Sequence, residues 1–330
     1  MRVFALAMLV LAAPPPAYAQ TNYAQRAEVR AFVRELVEQH GFVEGELMWL
    51  FSRVRRTEPV LQAIQPPPKA RSWREYRAMF VNHKRIAAGT AFWAAHRRAL
   101  MRAQSEFGVP AEYIVAIIGI ETFYGRNSGR WRVVDALTTL AFDYPPRADF
   151  FRDELLSYLL MVRDSGADVF SVRGSYAGAI GIPQFMPGSV RRYAVDFDRD
   201  GRIDLQRNAS DAIGSVANFL KQHGWQPGAE VLFPARVNAE EFRRYADGSV
   251  EPKHVIADLV RAGVEPQGMP QALSAARAAL IELATSDQPS EYRLGLQNFY
   301  VLTRYNRSAF YASAVTDLAR ELKRNQEAGR

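Results

Sequence analysis

The chain has 330 residues, of which 48% are hydrophobic and 23% charged, a composition typical of a globular protein with a large core. It contains no cysteine, which excludes disulfides, an acylated cysteine and thiol catalysis. The net charge of +7 favours anionic partners such as cell wall, lipid headgroups or nucleic acid, although an arginine-rich proteome explains it equally well. Because the basic residues are dispersed, without interleaved aromatics, we expect no nucleic-acid partner.

The N-terminus has the pattern of a secretory signal peptide over residues 1–19. A short positive start precedes an apolar stretch from Val3 to Ala13, and Ala17-Tyr18-Ala19 is a small-x-small cleavage site. Cleavage after Ala19 predicts an exported protein of a bacterial periplasm. The apolar stretch is too short to span a membrane, and we expect neither a transmembrane segment nor a lipid anchor.

The elements that follow are mostly helical. Hydrophobic periodicity predicts helices over 28–40, 45–64, 72–106, 110–121, 132–142, 147–163, 211–223 and 310–324. The third of these is expected to break only near Gly89, and Pro66-Pro67-Pro68 is expected to form a stiff linker. Short apolar runs at 231–233, 279–283 and 292–295 predict strands of a small mixed subdomain inserted into a helical body.

The most informative segment runs from Ile114 to Gly125. It is an apolar helix that ends in Glu121 and is followed at once by Phe123 and Tyr124. A carboxylate at the end of a buried helix is poorly solvated, which raises its pKa towards the range that a general acid needs near neutral pH. The alternative is a helix end at which Glu121 points to water.

Several other chemistries are excluded by the sequence. The five histidines are scattered without metal-ligand spacing, and Ser175 lacks the spacing of a nucleophile elbow. There is no phosphate-binding or dinucleotide-binding glycine motif, and we expect no organic cofactor. The chemistry that remains is that of carboxylates.

A second essential carboxylate is not evident among the acids that follow Glu121. None of Asp135, Asp143, Asp149 and Glu154 has a comparable apolar context. Asp135 is expected to order a helix start, and Glu154 to lie on an exposed helix face. A single carboxylate suits a mechanism in which the substrate supplies its own nucleophile, whereas ordinary glycoside hydrolysis uses two.

The segment from Asp196 to Asp204 matches the first part of an EF-hand calcium loop. Counting Asp196 as position 1, acids stand at positions 1, 3, 5 and 9 and glycine at position 6. Position 12 is Arg207 instead of glutamate, so the loop is incomplete, and Asp211 is expected to supply the closing carboxylate of a longer loop over 196–211. The alternative is an acidic, solvated turn.

Several motifs, in order along the chain, resemble the lytic murein transglycosylase B family. They are 119–125, 135–140, 174–179, 184–187, 211–218 and 304–308, and the resemblance extends over roughly residues 25–325. It implies a mainly α (α+β) fold, with a lysozyme-like catalytic core, an N-terminal helical domain and a small inserted β-containing subdomain. The expected division is 20–70 for the N-terminal region, 71–225 for the core, 226–295 for the insertion and 296–330 for the end of the core.

The resemblance also implies a reaction, cleavage of the MurNAc-β-1,4-GlcNAc bond of peptidoglycan with formation of a 1,6-anhydro end. Glu121 falls on the catalytic glutamate of the family and would act as general acid and then as base. The implied calcium ligands are Asp196, Asp198, Asp200, the carbonyl of Arg202, and Asp211. Ser175 and Gln184 would hydrogen-bond the sugars or orient Glu121, and Tyr305, Asn306 and Tyr311 would line the cleft. The other implied substrate-binding residues are Phe219, where the family can have tyrosine, and Arg147, which would reach the anionic lactyl or peptide part.

The expected partners are peptidoglycan glycan strands and proteins of cell-wall synthesis or degradation, with the chain itself a monomer. Ile182-Pro183 replaces a Tyr-Gly pair of the family, which is expected to stiffen that wall of the cleft. Two alternatives remain at this point. One is a hydrolytic muramidase on the same fold, and the other is a calcium-stabilised wall-binding protein without activity.

Overall fold

The computed structural model describes residues 22–66, 71–285 and 288–328. The predicted signal peptide and most of the proline linker lie outside these residues. The α-helices of the described residues are α1 (Ala27–His40), α2 (Glu44–Arg53), α3 (Glu58–Ala63), α4 (Trp73–Phe80), α5 (His83–Ala95), α6 (Arg97–Phe107), α7 (Ala111–Thr122), α8 (Val133–Asp143), α9 (Ala148–Ser165), α10 (Pro187–Tyr193), α11 (Ala209–Gln222), α12 (Ile256–Arg261), α13 (Gln297–Tyr305) and α14 (Ala309–Ala328).

The strands of the described residues are short. They are β1 (Trp131–Arg132), β2 (Arg173–Gly174), β3 (Leu232–Val237), β4 (His254–Val255), β5 (Val264–Pro266), β6 (Arg277–Leu283) and β7 (Glu291–Gly295). β1 and β2 form a two-stranded antiparallel ribbon, and the others form an antiparallel sheet in the order β4-β6-β7-β3-β5. The fold is therefore mainly α with a small β-containing part, as expected. The predicted strands at 279–283 and 292–295 lie within β6 and β7, and the one at 231–233 overlaps the start of β3. The division into domains stays a prediction.

Helix α7 lies at the centre of the largest hydrophobic cluster. Residues 114–118 are all fully buried, which explains why this helix is apolar on every side. Helices α5, α6, α11 and α14 pack around it. A second cluster joins the N-terminal helices α1 and α2 to α8 and α9, and a third covers one face of the five-stranded sheet.

The predicted single helix over 45–64 is wrong, because the structure has α2 and α3 separated by an extended segment. The backbone N–H of Arg55 donates to Asp135 Oδ1 (3.0 Å), and that of Thr57 donates to Thr139 Oγ1 (3.1 Å). Both acceptors are on α8. These bonds satisfy backbone N–H groups that would otherwise be bonded within a continuous helix. The periodicity of the local sequence gives no sign of them, because both acceptors lie far away in the chain.

The predicted break near Gly89 is also wrong. Helix α5 continues through Gly89, and the actual breaks lie before Asn82, whose side chain caps α5, and at His96. A Cβ at position 89 would lie 2.3 Å from the hydroxyl of Tyr124. The glycine therefore serves a close approach between elements instead of a bend.

Glu154 was expected on an exposed face, and this expectation is wrong. The residue is only 7% exposed, since α10 packs against α9 at this point. Its carboxylate accepts the backbone N–H of Gly188 at the start of α10 (2.7 Å). Burial raises the pKa of Glu154, and the bond from Gly188 opposes that rise.

The sheet is attached to the helical body by a buried ion pair. Both guanidinium nitrogens of Arg293 on β7 donate to Asp317 on α14, at 2.8 and 3.0 Å, and Arg77 on α4 donates to the same carboxylate at 2.7 Å. The backbone N–H of Trp73 also donates to Ala284 O (2.8 Å).

Across the described ranges, no helix combines the length and the apolar character that crossing a membrane requires.

Candidate active site

Glu121 lies in the last turn of α7, where the backbone turns sharply away from the helix. Phe123, Tyr124 and Gly125 have φ values of 51°, 62° and 85°, all in the left-handed region. Thr122 holds this turn: its hydroxyl donates to Ile182 O (2.8 Å) and accepts the N–H of Gly125 (2.9 Å). Glycine adopts such a φ without strain, whereas Phe123 and Tyr124 are strained there and depend on the surrounding contacts.

The carboxylate of Glu121 faces Tyr311. The Tyr311 hydroxyl donates to Glu121 Oε1 (2.7 Å), and this tyrosine is 1% exposed on α14. Burial raises the pKa of Glu121 to about 7, while the hydrogen bond from Tyr311 opposes the rise. The carboxyl group is therefore protonated for a large fraction of the time at neutral pH, which is the condition for a general acid.

A group of tyrosines surrounds this carboxylate. The rings of Tyr305 and Tyr311 are stacked with centroids 6.3 Å apart, and the Tyr305 hydroxyl donates to Pro183 O (2.5 Å). Tyr76 on α4 was not predicted. Burial and, secondly, the charge of Glu121 raise the pKa of Tyr76 to about 12, which places its hydroxyl within electrostatic range of the site.

Arg85 is a second residue that sequence reasoning missed. Its guanidinium donates to Gly119 O in the last turns of α7 and lies 5.0 Å from the ring centroid of Phe123. A cation there satisfies a helix carbonyl and interacts favourably with the negative end of the α7 dipole. The hydroxyl of Tyr124 donates to Arg85 O (3.0 Å), so α5 and the turn after Glu121 are held together.

Ser175 and Gln184 lie in the glycine-rich stretch before α10. Ser175 Oγ accepts the N–H groups of Ala177 (3.2 Å) and Ala179 (3.0 Å). Gln184 has a φ of 52°, and its amide donates to Gly181 O (2.8 Å) and Ser128 O (3.0 Å). Within the described residues, no hydrogen bond joins either side chain to Glu121. Both shape the loop, and their sugar contacts stay predictions.

The remaining predicted substrate residues differ in position. Phe219 is 5% exposed, with its ring centroid 4.9 Å from that of Tyr305, so it packs behind that tyrosine. Asn306 is exposed at the end of α13. Arg147 is exposed with its guanidinium 4.3 Å from the ring centroid of Phe150, and among the described residues no hydrogen bond or ion pair connects it to Glu121.

The acidic loop brings three of its predicted ligands together. Carboxylate oxygens of Asp196, Asp198 and Asp211 all lie within 4.8 Å of one another. Asp211 is fully buried and accepts the N–H groups of Phe197 and Asp204, both at 2.8 Å. Burial, the largest effect, raises the pKa of Asp211. The two backbone N–H groups oppose this rise, and the charges of Asp198 and Asp196 add to it. Asp200 is not in the cluster. Its carboxylate accepts the N–H of Arg202 (2.9 Å).

The clustered residues fit a hard cation. Three carboxylates converge from two parts of the loop, and Gly201 at position 6 has the positive φ (88°) that the turn requires. Asp211, and not position 12, which is Arg207, provides the third carboxylate of the cluster. A divalent cation would relieve the mutual repulsion of these charges and connect the loop to the start of α11.

Comparison with known proteins agrees with this architecture. The model of a protein family described as the transglycosylase SLT domain matches residues 24–320. The membrane-bound lytic murein transglycosylase B of Escherichia coli K12 is 40% identical over 310 residues, which cover 90% of this chain and 83% of that protein.

Two solved structures give the same result. The soluble lytic transglycosylase SltB1 of Pseudomonas aeruginosa is 47% identical, with a TM-score of 0.85 over 91% of this chain and 99% of that one. The Escherichia coli lytic transglycosylase Slt35, solved in complex with calcium, is 39% identical, with a TM-score of 0.82 over 92% of this chain and 95% of that one. By sequence and by fold, the chain belongs to the lytic murein transglycosylases, enzymes built on the transglycosylase SLT domain.

Proposed function

We propose that the chain cleaves the MurNAc-β-1,4-GlcNAc bond of peptidoglycan without water, with Glu121 as both acid and base. Protonated Glu121 donates its proton to the glycosidic oxygen as the bond from the anomeric carbon breaks. The 2-acetamido group shares the positive charge on that carbon. Glu121, now a carboxylate, then accepts the proton of the C6 hydroxyl as this oxygen bonds to the anomeric carbon. The products are a free GlcNAc hydroxyl and a 1,6-anhydro-MurNAc end.

The observation that carries the proposal is the placement of Glu121. It follows the fully buried apolar residues 114–118 on α7, its pKa is raised by burial to about 7, and Tyr311 donates to its carboxylate. A group that gives and then takes back a proton works best when its pKa is near the working pH. Since family membership makes this chain a lytic transglycosylase, Glu121 is the residue that fits the central role.

The acids that follow Glu121 in the sequence are engaged elsewhere, which supports a single-carboxylate mechanism. Asp135 pairs with Arg132, and Asp143 with Arg26. Glu154 binds the backbone at the start of α10. A hydrolytic muramidase of the ordinary type needs a second carboxylate in the cleft, and none of these acids offers one.

Mass spectrometry of the soluble products tests this proposal. Purified peptidoglycan digested by the mature protein should release muropeptides with 1,6-anhydro-MurNAc ends. Reducing MurNAc ends, heavier by one water, would instead identify a hydrolase. No products at all would favour the wall-binding alternative. Glu121→Gln is the matched variant: it keeps the shape of the side chain, should still bind glycan strands, and should lower product formation by at least about 10³-fold.

We also propose calcium as a structural ion of the loop over 196–211. Asp196, Asp198 and Asp211 would supply carboxylate oxygens, and Asp200 and the Arg202 carbonyl would complete the set. The convergence of three carboxylates supports this proposal, as does the calcium complex of Slt35. Calcium would supply charge neutralisation that fixes the loop to α11, with no part in proton transfer.

Export stays part of the proposal, with cleavage after Ala19 and a periplasmic location. Peptidoglycan strands are the proposed partner, because the Escherichia coli relative is named for murein. That relative is also named as membrane-bound. Fractionation of cells tests whether this chain is recovered in the periplasmic fraction, as proposed, or only with the membranes.

A further inference from the structure

A pocket of about 510 Å3 lies away from Glu121, beside the N-terminal helices. Its walls come from the end of α2, the extended segment after it, β1 and the loop before β2. None of the residues predicted for the active site lines it.

One wall of the pocket is aromatic. Trp49 is 52% exposed, an unusual state for the largest apolar side chain, and its ring meets that of Phe170 edge to face at 6.0 Å. The guanidinium of Arg53 lies 4.5 Å from the centroid of the Trp49 ring. This arrangement offers an apolar face and planar hydrogen-bond donors side by side.

The other wall is positive. Arg53, Arg55 and Arg132 line the pocket, and no acid is among the described residues that do so. Arg132 is neutralised by Asp135, with bonds of 2.6 and 2.9 Å. In the described part of the chain, neither Arg53 nor Arg55 has an ion-pair partner. Two uncompensated guanidinium groups in a concave site favour a carboxylate ligand, which they bind bidentately.

A β-ladder connects this pocket to the active site. β1 pairs with β2 through Trp131 and Gly174, Gly174 bridges to Ile180, and Ile180 bridges to Phe185. The Phe185 ring is 5.7 Å from that of Tyr305, beside Glu121. Three steps of the ladder, each about 4.8 Å, separate Trp131, the neighbour of the pocket residue Arg132, from Phe185 by about 14 Å. An extended peptide of four or five residues covers this distance.

We propose that the pocket binds the acidic peptide that is attached to the muramoyl sugar held beside Glu121. The Arg53 and Arg55 side chains bind its carboxylates, and Trp49 with Phe170 packs against its apolar groups. The inference rests on the proposed function, since it needs a muramoyl sugar in the cleft. The N-terminal helices would then recognise peptide-bearing strands, and this role is separate from bond cleavage.

Binding of two strand preparations tests the proposal. The Glu121→Gln protein, which cannot turn over the ligand, is titrated with soluble peptidoglycan strands that carry their peptides and with strands from which an amidase has removed them. Arg53→Gln combined with Arg55→Gln should weaken binding of peptide-bearing strands by about tenfold, and should leave peptide-free strands unaffected. Trp49→Ala should have the same selectivity. The peptide-dependent part of the affinity should also fall with salt.

Arg97→Gln with Arg98→Gln is the matched control, because it removes two exposed charges from α6 outside the pocket. Unchanged affinity for peptide-bearing strands in the pocket variants would overturn the proposal. So would an equal loss for both preparations, which would indicate recognition of the sugar, or a loss confined to the peptide-free strands, which would indicate recognition of the lactyl carboxylate that the amidase frees. Product analysis on the unmodified protein is independent: missing 1,6-anhydro ends would refute the proposed function, whereas their presence with unchanged binding would refute the pocket alone.

Discussion

At the scale of single residues, Glu121 and Tyr311 decide the protonation of the site. They are 190 positions apart in the sequence, yet the tyrosine hydroxyl is 2.7 Å from the carboxylate. The segment at the end of α7 predicts Glu121 as an acid, and the family resemblance implies that Tyr311 lines the cleft. The raised pKa has a tertiary cause, however, because it depends on the helices that bury α7.

Tyr311→Phe is predicted to shift the pH dependence of the reaction. A general acid must be protonated, so kcat should fall as pH rises above about 7, the pKa of Glu121. The Tyr311 hydroxyl favours the charged carboxylate, and its loss should raise that pKa further and move the alkaline limb of kcat to higher pH. Tyr305→Phe is the control, since its hydroxyl bonds to Pro183 O instead. An unmoved limb in Tyr311→Phe would contradict the assignment.

Tyr76 and Arg85 are residues of the site that the sequence did not predict. Both come from helices that precede α7, and neither stands in a recognisable motif. Tyr76 reaches the site because α4 packs against α14, and Arg85 because α5 packs against α7. Side chains of this kind are found only when the packing is known.

At the scale of elements, two glycines set how closely α5 and α7 approach. The Tyr124 ring lies between them, and a Cβ at Gly89 or Gly119 would come within 2.3 or 2.6 Å of its hydroxyl. The sequence suggests a helix break at Gly89, since glycine is a poor helix former. The structure shows a helix that tolerates glycine for the sake of this contact.

Gly89→Ala is predicted to destabilise the protein by about 1–3 kcal/mol through overpacking. Gly45→Ala is the matched substitution. Gly45 is also helical, and no atom lies within 4 Å of the position that a Cβ would take there. Its replacement by alanine should therefore stabilise the protein by about 0.5–1 kcal/mol. Denaturant unfolding of both variants measures the difference. A stabilising effect of Gly89→Ala would contradict the overpacking prediction, because it would show that the Tyr124 side chain moves aside without an energetic penalty.

The calcium loop predicts a stability that depends on the ion. Millimolar calcium should raise the Tm, because binding to the folded state alone stabilises it by about 2.7 kcal/mol at a hundred times the Kd. Asp211→Asn should abolish the rise, since this buried residue belongs to the carboxylate cluster. Asp258→Asn, outside that cluster, should retain it. A Tm that is insensitive to calcium in the unmodified protein would leave the loop as an acidic turn.

At the scale of the whole molecule, the ion pair between Arg293 and Asp317 connects the sheet to the helical body. Burial alone would raise the pKa of Asp317, but Arg293 and Arg77 outweigh it and hold the pKa below its usual value. This carboxylate therefore contributes stability that is present above about pH 4, the pKa of an unfolded aspartate, and is lost as pH falls through the lower folded-state pKa.

Asp317→Asn is predicted to cost about 3–5 kcal/mol at pH 7, because it removes the buried partner of Arg293 and leaves this charge only the exposed carboxylate of Glu291, at 3.4 Å. The difference from the unmodified protein should shrink as the pH falls well below 4, where Asp317 becomes protonated in both states. Asp149→Asn, which breaks an exposed pair with Arg152, should change stability little. Unfolding curves of the variant and of the unmodified protein at several pH values measure this difference in the free energy of unfolding. A difference that stays constant with pH would contradict the role of the Asp317 charge.

The sequence by itself determined the features that depend on neighbours along the chain. These are the apolar helix that ends in Glu121, the register of acids and glycine after Asp196, and the strands near the C-terminal end of the insertion. Only the tertiary structure decided the rest: the burial of Glu154, the break between α2 and α3, the approach of Tyr76 and Arg85 to the site, and the arginine and tryptophan pocket. Each of these depends on contacts between residues far apart in the chain, and such contacts form only when the helices pack.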